Sequence, residues 1–479
     1  MKNKKNIRSS FLRAAVLVPF ILPVCSSLRA ESLSLEIYLK QVKEKNKAVL
    51  AGRTAIQAAQ ESMALKSLLI SPYLFADLQH AKDKSRKLDS ASYGTSRMQD
   101  EYQVGLEQQT PYGQSARLYY QNTFTSVDGA NPLYLPYSEY NESRFTLEIK
   151  QDLWRNFFGR ATRAGRKAIE EKSKAQVQEQ AYQVKQILVQ AEMLYWRLSL
   201  ARKMVQLEKD LLARSQELYN WVKRRVDLKL QDRSDLMQSE SDVLARTLEL
   251  SSTEDQEKLL TRNFNLMRDA DSDIVTEELI LPQEEYFKVP ELNEKSPLRK
   301  DIRSLMHYQS AFREQALLNK ENTLPELNVY VSGALNGLNQ EFSEAFSDST
   351  GTKYYTLAAG LSLRMPLDFI HSHRARKGYD HEADANETFL SQKKLSVQTE
   401  WSELIRKLKK TYKRFQLVKE LETLQKKKAD YERMRLQKGN TITLQVLQFE
   451  QDYAQSQLAR LEVEMNLLEL LAQIKLYEE

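Results

Sequence analysis

The chain has 479 residues, 28 % of them charged, with only 13 Gly, 11 Pro and a single Cys. That mixture suits long helices with wet faces better than a compact multi-domain enzyme, and one cysteine leaves no disulfide framework. The net charge of +6 is confined to residues 1–30, which hold six Lys/Arg and no acid. Beyond them 65 bases face 65 acids, so charge gives no argument for nucleic acid or anionic lipid as a partner.

In chain order, Lys2, Lys4, Lys5 and Arg8 precede a short apolar run, Ala14 to Val24, broken by Pro19 and Pro23. Small and polar residues then lead to Ala30-Glu31. This is the layout of a secretory signal over 1–30, too short to span a bilayer as a helix. A second reading rests on Leu22-Pro23-Val24-Cys25, which resembles a lipoprotein attachment site except that Val24 stands where a small residue belongs. Cleavage after Ala30 leaves a chain without a thiol. No other stretch approaches eighteen apolar residues, so no transmembrane helix is expected.

Residues from about 33 to 70 are predicted as one helix, because Leu35, Leu39, Val42, Val49, Ile56, Ala59 and Met63 recur at helical spacing until Pro72. Strand text fills about 72–150. Tyr102, Val104 and Leu106, then Ala116, Leu118 and Tyr120, then Phe145, Leu147 and Ile149 alternate with polar or charged residues, separating one apolar face from one polar face. From about 160 to 226 the pattern is helical. Leu194, Leu198, Ala201, Val205, Leu212, Tyr219, Val222 and Val226 follow the alternating three-four spacing of a coiled-coil seam. A helix of that length makes a rod of the order of 100 Å, for which a globular domain has no use. A turn near 227–233 and a second helix to about Met267 complete a first repeat over 31–267, with its helix pair at about 160–267.

Residues 268–295, acidic and interrupted by two prolines, read as a connector. A second repeat then spans 296–479. It has a helix to about Asn322, a strand at 326–333 and a Ser/Gly/Asp-rich loop at about 336–353. Its clearest strand carries Leu357, Ala359, Leu361, Leu363 and Met365 on one face, so its barrel strands lie at about 326–366. A helix pair at about 373–476 follows, turning at Lys438–Thr443. The far turns of the two halves correspond: Arg225-Val226-Asp227-Leu228-Lys229-Leu230 to Ser234-Asp235, and Arg435-Leu436-Gln437-Lys438-Gly439-Asn440 to Leu444-Gln445. A unit of about 200 residues is too long for a solenoid, whose periods are roughly 20–50. It suggests one architecture made of two pseudo-equivalent halves.

Strands of about ten residues with one apolar and one polar face fit a transmembrane β-barrel. Nine of the 23 tyrosines lie between 72 and 145, where interface aromatics would be expected. Open sheet edges are not tolerated in lipid, and two hairpins per chain are too few to enclose a conducting pore, so several chains must contribute.

With these pieces in place the chain resembles the TolC family of outer-membrane efflux and secretion channels over essentially all of 32–477. The resemblance is carried by Ser34-Leu35-Glu36-Ile37-Tyr38-Leu39, by Ser296-Pro297-Leu298-Arg299, by the strand-to-helix passages Leu147–Arg155 and Gly360–Leu367, and by the two far turns. It implies an α+β membrane protein: long antiparallel coiled-coil helices forming an α-helical tunnel, plus a β-barrel completed by trimerisation, with two structural repeats per chain. Three chains would make a twelve-stranded barrel above a twelve-helix tunnel. The implied partners are a homotrimer, a periplasmic adaptor (membrane fusion) protein, an inner-membrane pump and outer-membrane lipid, with no nucleic acid and no cofactor. The implied function is export from that pump across periplasm and outer membrane, gated at the periplasmic tips by Ser234, Asp235, Gln445 and Gln448. Lys229, Leu230, Gly439 and Asn440 would meet the adaptor.

The departures concern those same positions. Gln445 and Gln448 stand where the family carries acidic residues, which argues against an acidic ring from that turn. The tip glycine is kept as Gly439 but replaced by Lys229 in the first half. An apparent extra hairpin around Thr110-Pro111-Tyr112-Gly113 either lengthens external loops or adds strands. No phosphate loop, HExxH or nucleophile elbow occurs, and no enzyme is expected. His371, His373, His381 and Asp380 are a candidate metal group only if the following helix starts after the first two. The alternative function is a secreted periplasmic coiled-coil scaffold or adaptor without a pore.

Overall fold

A computed structural model describes residues 32–89 and 93–478. The signal segment and Cys25 lie outside the described residues. The predicted opening helix is split. The Ser34 hydroxyl accepts from the Ile37 N–H at 3.3 Å and starts α1 (Leu35–Lys45). Asn46, in extended backbone, then ends it and starts α2 (Lys47–Ser62) by accepting from the N–H groups of Ala48 and Val49. Its amide also donates to the Met267 carbonyl at 2.8 Å, so the break fastens two distant segments. A short α3 (Leu65–Leu68) leads to the sheet.

Six strands form one antiparallel sheet: β2 (Tyr73–Asp83), β3 (Ser96–Gln109), β4 (Gln114–Asp128), β5 (Glu139–Asp152), β7 (Glu326–Asn339) and β8 (Tyr355–Arg364), hydrogen-bonded in that order. The remaining strands, β1 (Ser32–Leu33) and β6 (Glu278–Leu279), form a separate parallel pair. The hairpin at Thr110–Gly113 therefore adds strands. Its turn is locked to the passage that follows β5, where the Asp152 N–H donates to the Gly113 carbonyl at 3.0 Å. Gly159, at φ +77°, passes so near Pro111 that a Cβ there would stand 1.9 Å from its carbonyl oxygen.

Cross-strand register gives the sheet two chemically different faces. One row of cross-strand neighbours reads Leu74, Leu106, Leu118, Leu147, Gly333, Leu357, and all five leucines are exposed. The adjacent row on the opposite face includes Glu107, Arg117 and Glu148. The loop after β7, read from sequence as Ser/Gly/Asp-rich coil, holds a seven-residue helix, α7 (Phe342–Asp348). Phe346 of α7 packs on Tyr120 and Phe145, which belong to the leucine face, so α7 covers the upper part of that face.

Below the sheet stand the helices α4 (Arg160–Asp227), α5 (Arg233–Met267), α6 (Lys300–Asn322), α8 (Phe369–Gln437) and α9 (Thr443–Ile474). They make four columns. The long α4 packs on α2 and α5 on one side and on α6 and α9 on the other, and α8 packs on α6 and α9. The lateral order is therefore α2 with α5, then α4, then α6 with α9, then α8. A buried apolar cluster sits at mid-rod, where Tyr38 stacks on Phe264 at 4.0 Å and the Tyr195 hydroxyl donates to the Leu33 carbonyl at 2.7 Å. The connector 268–295 crosses this level. Phe287 stacks on Phe415 of α8, and the Trp401 indole N–H donates to the Asn293 carbonyl at 2.9 Å. No helix among the described residues is long and apolar enough to cross a membrane.

Candidate functional site

The two far turns are built alike. In the first, the Leu230 N–H donates to the Arg225 carbonyl and the Lys229 N–H to the Val226 carbonyl, at 2.8 and 2.9 Å. In the second, the Asn440 N–H donates to the Arg435 carbonyl and the Gly439 N–H to the Leu436 carbonyl, both at 2.9 Å. Both are Schellman endings, which place the residue after the cap in left-handed backbone. Gly439 has φ +74° and Lys229 φ +60°. The lysine thus occupies a conformation that favours glycine, because its Cβ crowds the carbonyl.

Beyond the first turn Asp232 enters α5 in extended backbone, and Asp235 lies in the first helical turn, where the exposed N–H groups favour a negative side chain. The Gln231 amide donates to the Asp235 carboxylate at 3.0 Å and also to the Thr443 hydroxyl. Gln231 and Thr443 are 212 residues apart, so this bond ties the first hairpin's tip to the start of α9. Thr443 itself is buried. Ser234 is exposed, with no role in this link.

Gln445 and Gln448 serve their own helix instead: Gln445 accepts from the Thr441 hydroxyl at 3.2 Å, and the Gln448 amide donates to Asp452 at 3.1 Å. Thr441 also donates to buried Glu432 at 2.5 Å, and Arg435 holds both Glu432 and the Asn440 carbonyl. The second turn is therefore stiffened from within. Lys229, Leu230, Gly439 and Asn440 are all exposed at the extreme end. Across 223–235 five bases face three acids, and across 432–448 three bases face one, so this end carries excess positive charge.

Just above the tips a cleft of about 800 Å³ opens among α4, α5, α8 and α9. Inside it Glu450 is shared by Arg433 and Arg214, and Asp242 accepts from Ser215 at 2.5 Å. It lies between two helical hairpins that are joined across it by Arg214 and Glu450 and, at the tip, by Gln231 and Thr443. Asp235 was marked by sequence as a gate residue; Gln231 and Thr443 were not. Their only sequence signal is that each flanks a far turn.

The histidines do not converge. The helix α8 starts at Phe369 rather than after His373, so His371 and His373 lie two residues apart within it, on different faces. The His371 N–H donates to the Asp368 cap carboxylate at 3.0 Å, and its Nδ1 lies 2.6 Å from the same group, while Asp380 pairs with Lys320. Among the described residues no three metal-ligating groups come together.

Residues 295–477 match the family described as outer membrane efflux protein. No curated protein matches the chain. Among solved structures, the outer membrane protein VceC of Vibrio cholerae has TM-score 0.66 at 14 % identity, over 92 % of this chain and 95 % of that one. The CmeC outer membrane channel of Campylobacter jejuni has TM-score 0.65 at 11 % identity, over 92 % and 85 %. The open state of the MtrE outer membrane channel of Neisseria gonorrhoeae has TM-score 0.63 at 13 % identity, over 92 % and 88 %. The fold is that of the TolC-like outer-membrane channels, and the family match with that fold supports an outer-membrane location with a periplasmic helical part.

Proposed function

We propose that this chain, an outer-membrane efflux protein segment over 295–477 within a TolC-like channel fold, is the subunit of a trimeric export conduit gated at its periplasmic tips. One observation carries the reading. The sheet and the helical layer have the same lateral edges, because β2 follows the α2 column and β8 runs directly into α8. A second copy that pairs its β2 with the first copy's β8 brings its α2 and α5 against α8 in the same movement. Those strands run in opposite directions, so the new pairing is antiparallel like the rest.

The helical edges are chemically prepared for it. Leu417, Leu421, Leu424 and Tyr431 of α8 are exposed at coiled-coil spacing, and so are Met237, Leu244 and Leu248 of α5. Such a head-to-tail contact closes into a ring when the rotation suits, and three copies give twelve helical columns. The cargo comes from an inner-membrane pump through a periplasmic adaptor seated on Lys229, Leu230, Gly439 and Asn440. The excess of bases at the tips speaks against a cation-filtering entrance.

In the closed state the Asp235–Gln231–Thr443 chain of hydrogen bonds holds the two hairpins of a subunit together. Single-channel conductance in a planar bilayer tests this. Wild-type protein is expected to give small, long-lived steps, and Gln231→Ala, Thr443→Val and Asp235→Ala larger ones. Unchanged steps in all three would remove these residues from the gate. Failure of folded native oligomer to insert would favour the periplasmic scaffold.

A further inference from the structure

We infer that the barrel wall of this protein has eighteen strands, six from each subunit, in place of the twelve that its family resemblance implies. The inference rests on the trimeric conduit proposed above and adds the size of its outer pore. Three observations carry it.

First, β3 and β4 are continuous members of the ladder. They pair with each other over Ser96–Gln109 and Ser115–Asp128, and each pairs along most of its length with its outer neighbour, β2 or β5. Second, they carry the same two-faced pattern as the others. Leu106 and Leu118 stand in the exposed leucine row, while Gln103 and Gln121 pair on the polar face. A hairpin folded away from the wall would have no need of a leucine face continuous with that of β5 and β8. Third, the turn between them is part of the barrel's base, because Gly113 and Pro111 are wedged against the Asn156–Gly159 passage into α4.

The dimensions agree. Twelve helical columns at ordinary 8–10 Å spacing form a ring of roughly 95–120 Å circumference. Eighteen strands about 4.8 Å apart, tilted by roughly 35–45°, form a wall of roughly 105–120 Å, whereas twelve give roughly 70–80 Å. The outer pore is then as wide as the tunnel, and α7 lies on the leucine face rather than in the bore. The barrel imposes no size limit; selection by size falls to the periplasmic tips.

The test uses single-cysteine variants in a Cys25→Ser background, labelled with a fluorophore and inserted as native oligomer in phosphatidylcholine vesicles carrying a lipid-borne quencher. Labels at Leu106→Cys and Leu118→Cys are expected to lose the same fraction of emission as those at Leu147→Cys and Leu357→Cys. Labels at Gln103→Cys and Gln121→Cys should respond to aqueous iodide instead. Lipid quenching at 147 and 357 but not at 106 and 118 would overturn the eighteen-strand wall and leave the barrel standing. Loss of lipid quenching at 147 and 357 as well would defeat the barrel reading itself. Native mass spectrometry of each variant should give three chains, and any other number overturns the count.

Discussion

Lys229 and Gly439 do the same geometric work with different side chains. Each follows a helix cap in left-handed backbone, which costs a residue with a Cβ roughly 1–2 kcal/mol. Lys229→Gly should therefore stabilise the first turn by about 1 kcal/mol, and Gly439→Ala should destabilise the second by a similar amount. Thermal dissociation of the detergent-extracted oligomer would register both shifts. Glu208 on α4 is a second residue whose cost is visible. Its side chain is buried with neither carboxylate oxygen bonded, and that burial pushes its pKa up, opposed by the charge of Arg246. The folded state therefore holds this proton more tightly than the unfolded one. Stability contributed by Glu208 is greatest while it is protonated, and falls as pH rises from the ordinary carboxylate value of about 4.3 towards the raised one. Glu208→Gln should remove that slope and gain about 1 kcal/mol at neutral pH, read by comparing melting midpoints across pH.

At the scale of elements, what could be foreseen depended on how local the cause was. The rods were legible because a coiled-coil seam repeats within a few residues, and Arg160–Asp227 agrees with the expected 160–226 within a residue. The strands were legible because a two-faced sheet imposes a period of two on each strand alone. The break at Asn46 was missed, since a lone Asn inside an apolar stripe does not announce a cap that also bonds Met267. The helix α7 was read as loop although Phe342 and Phe346 stand four apart, because it is held by strands far from it in sequence. The extra hairpin was visible in its Pro-Tyr-Gly turn, but its membership of the wall depended on pairing that no single strand encodes. The tip followed the same rule: Asp235 could be marked from its place in a turn, whereas the Gln231–Thr443 bond exists only once two hairpins are side by side. Breaking the lock between hairpin and passage is a direct test at this scale. Gly159→Ala brings a methyl against the Pro111 carbonyl and should cost more than Gly439→Ala, whose surroundings are open, as measured by the same thermal midpoints.

For the whole molecule the decisive fact is that it has sides. In the proposed trimeric barrel a charge on the leucine face should cost roughly 2–4 kcal/mol near the bilayer midplane, so Leu357→Arg is expected to reduce membrane assembly, assayed by heat-modifiable migration of the oligomer. A charge on the helical edge should act differently. Leu421→Glu is expected to leave secretion intact while shifting native mass from three chains towards one. The same edges have a consequence for the cell's economy of the subunit. Under the proposed trimeric assembly, a chain that has not met its fellows carries two open strand edges and two apolar helical stripes, the features by which proteases and holding chaperones recognise incomplete proteins. Surplus subunit should consequently be short-lived, and the abundance of finished channels should rise more steeply than the rate of synthesis, as the encounter of three partners competes with first-order clearance of each.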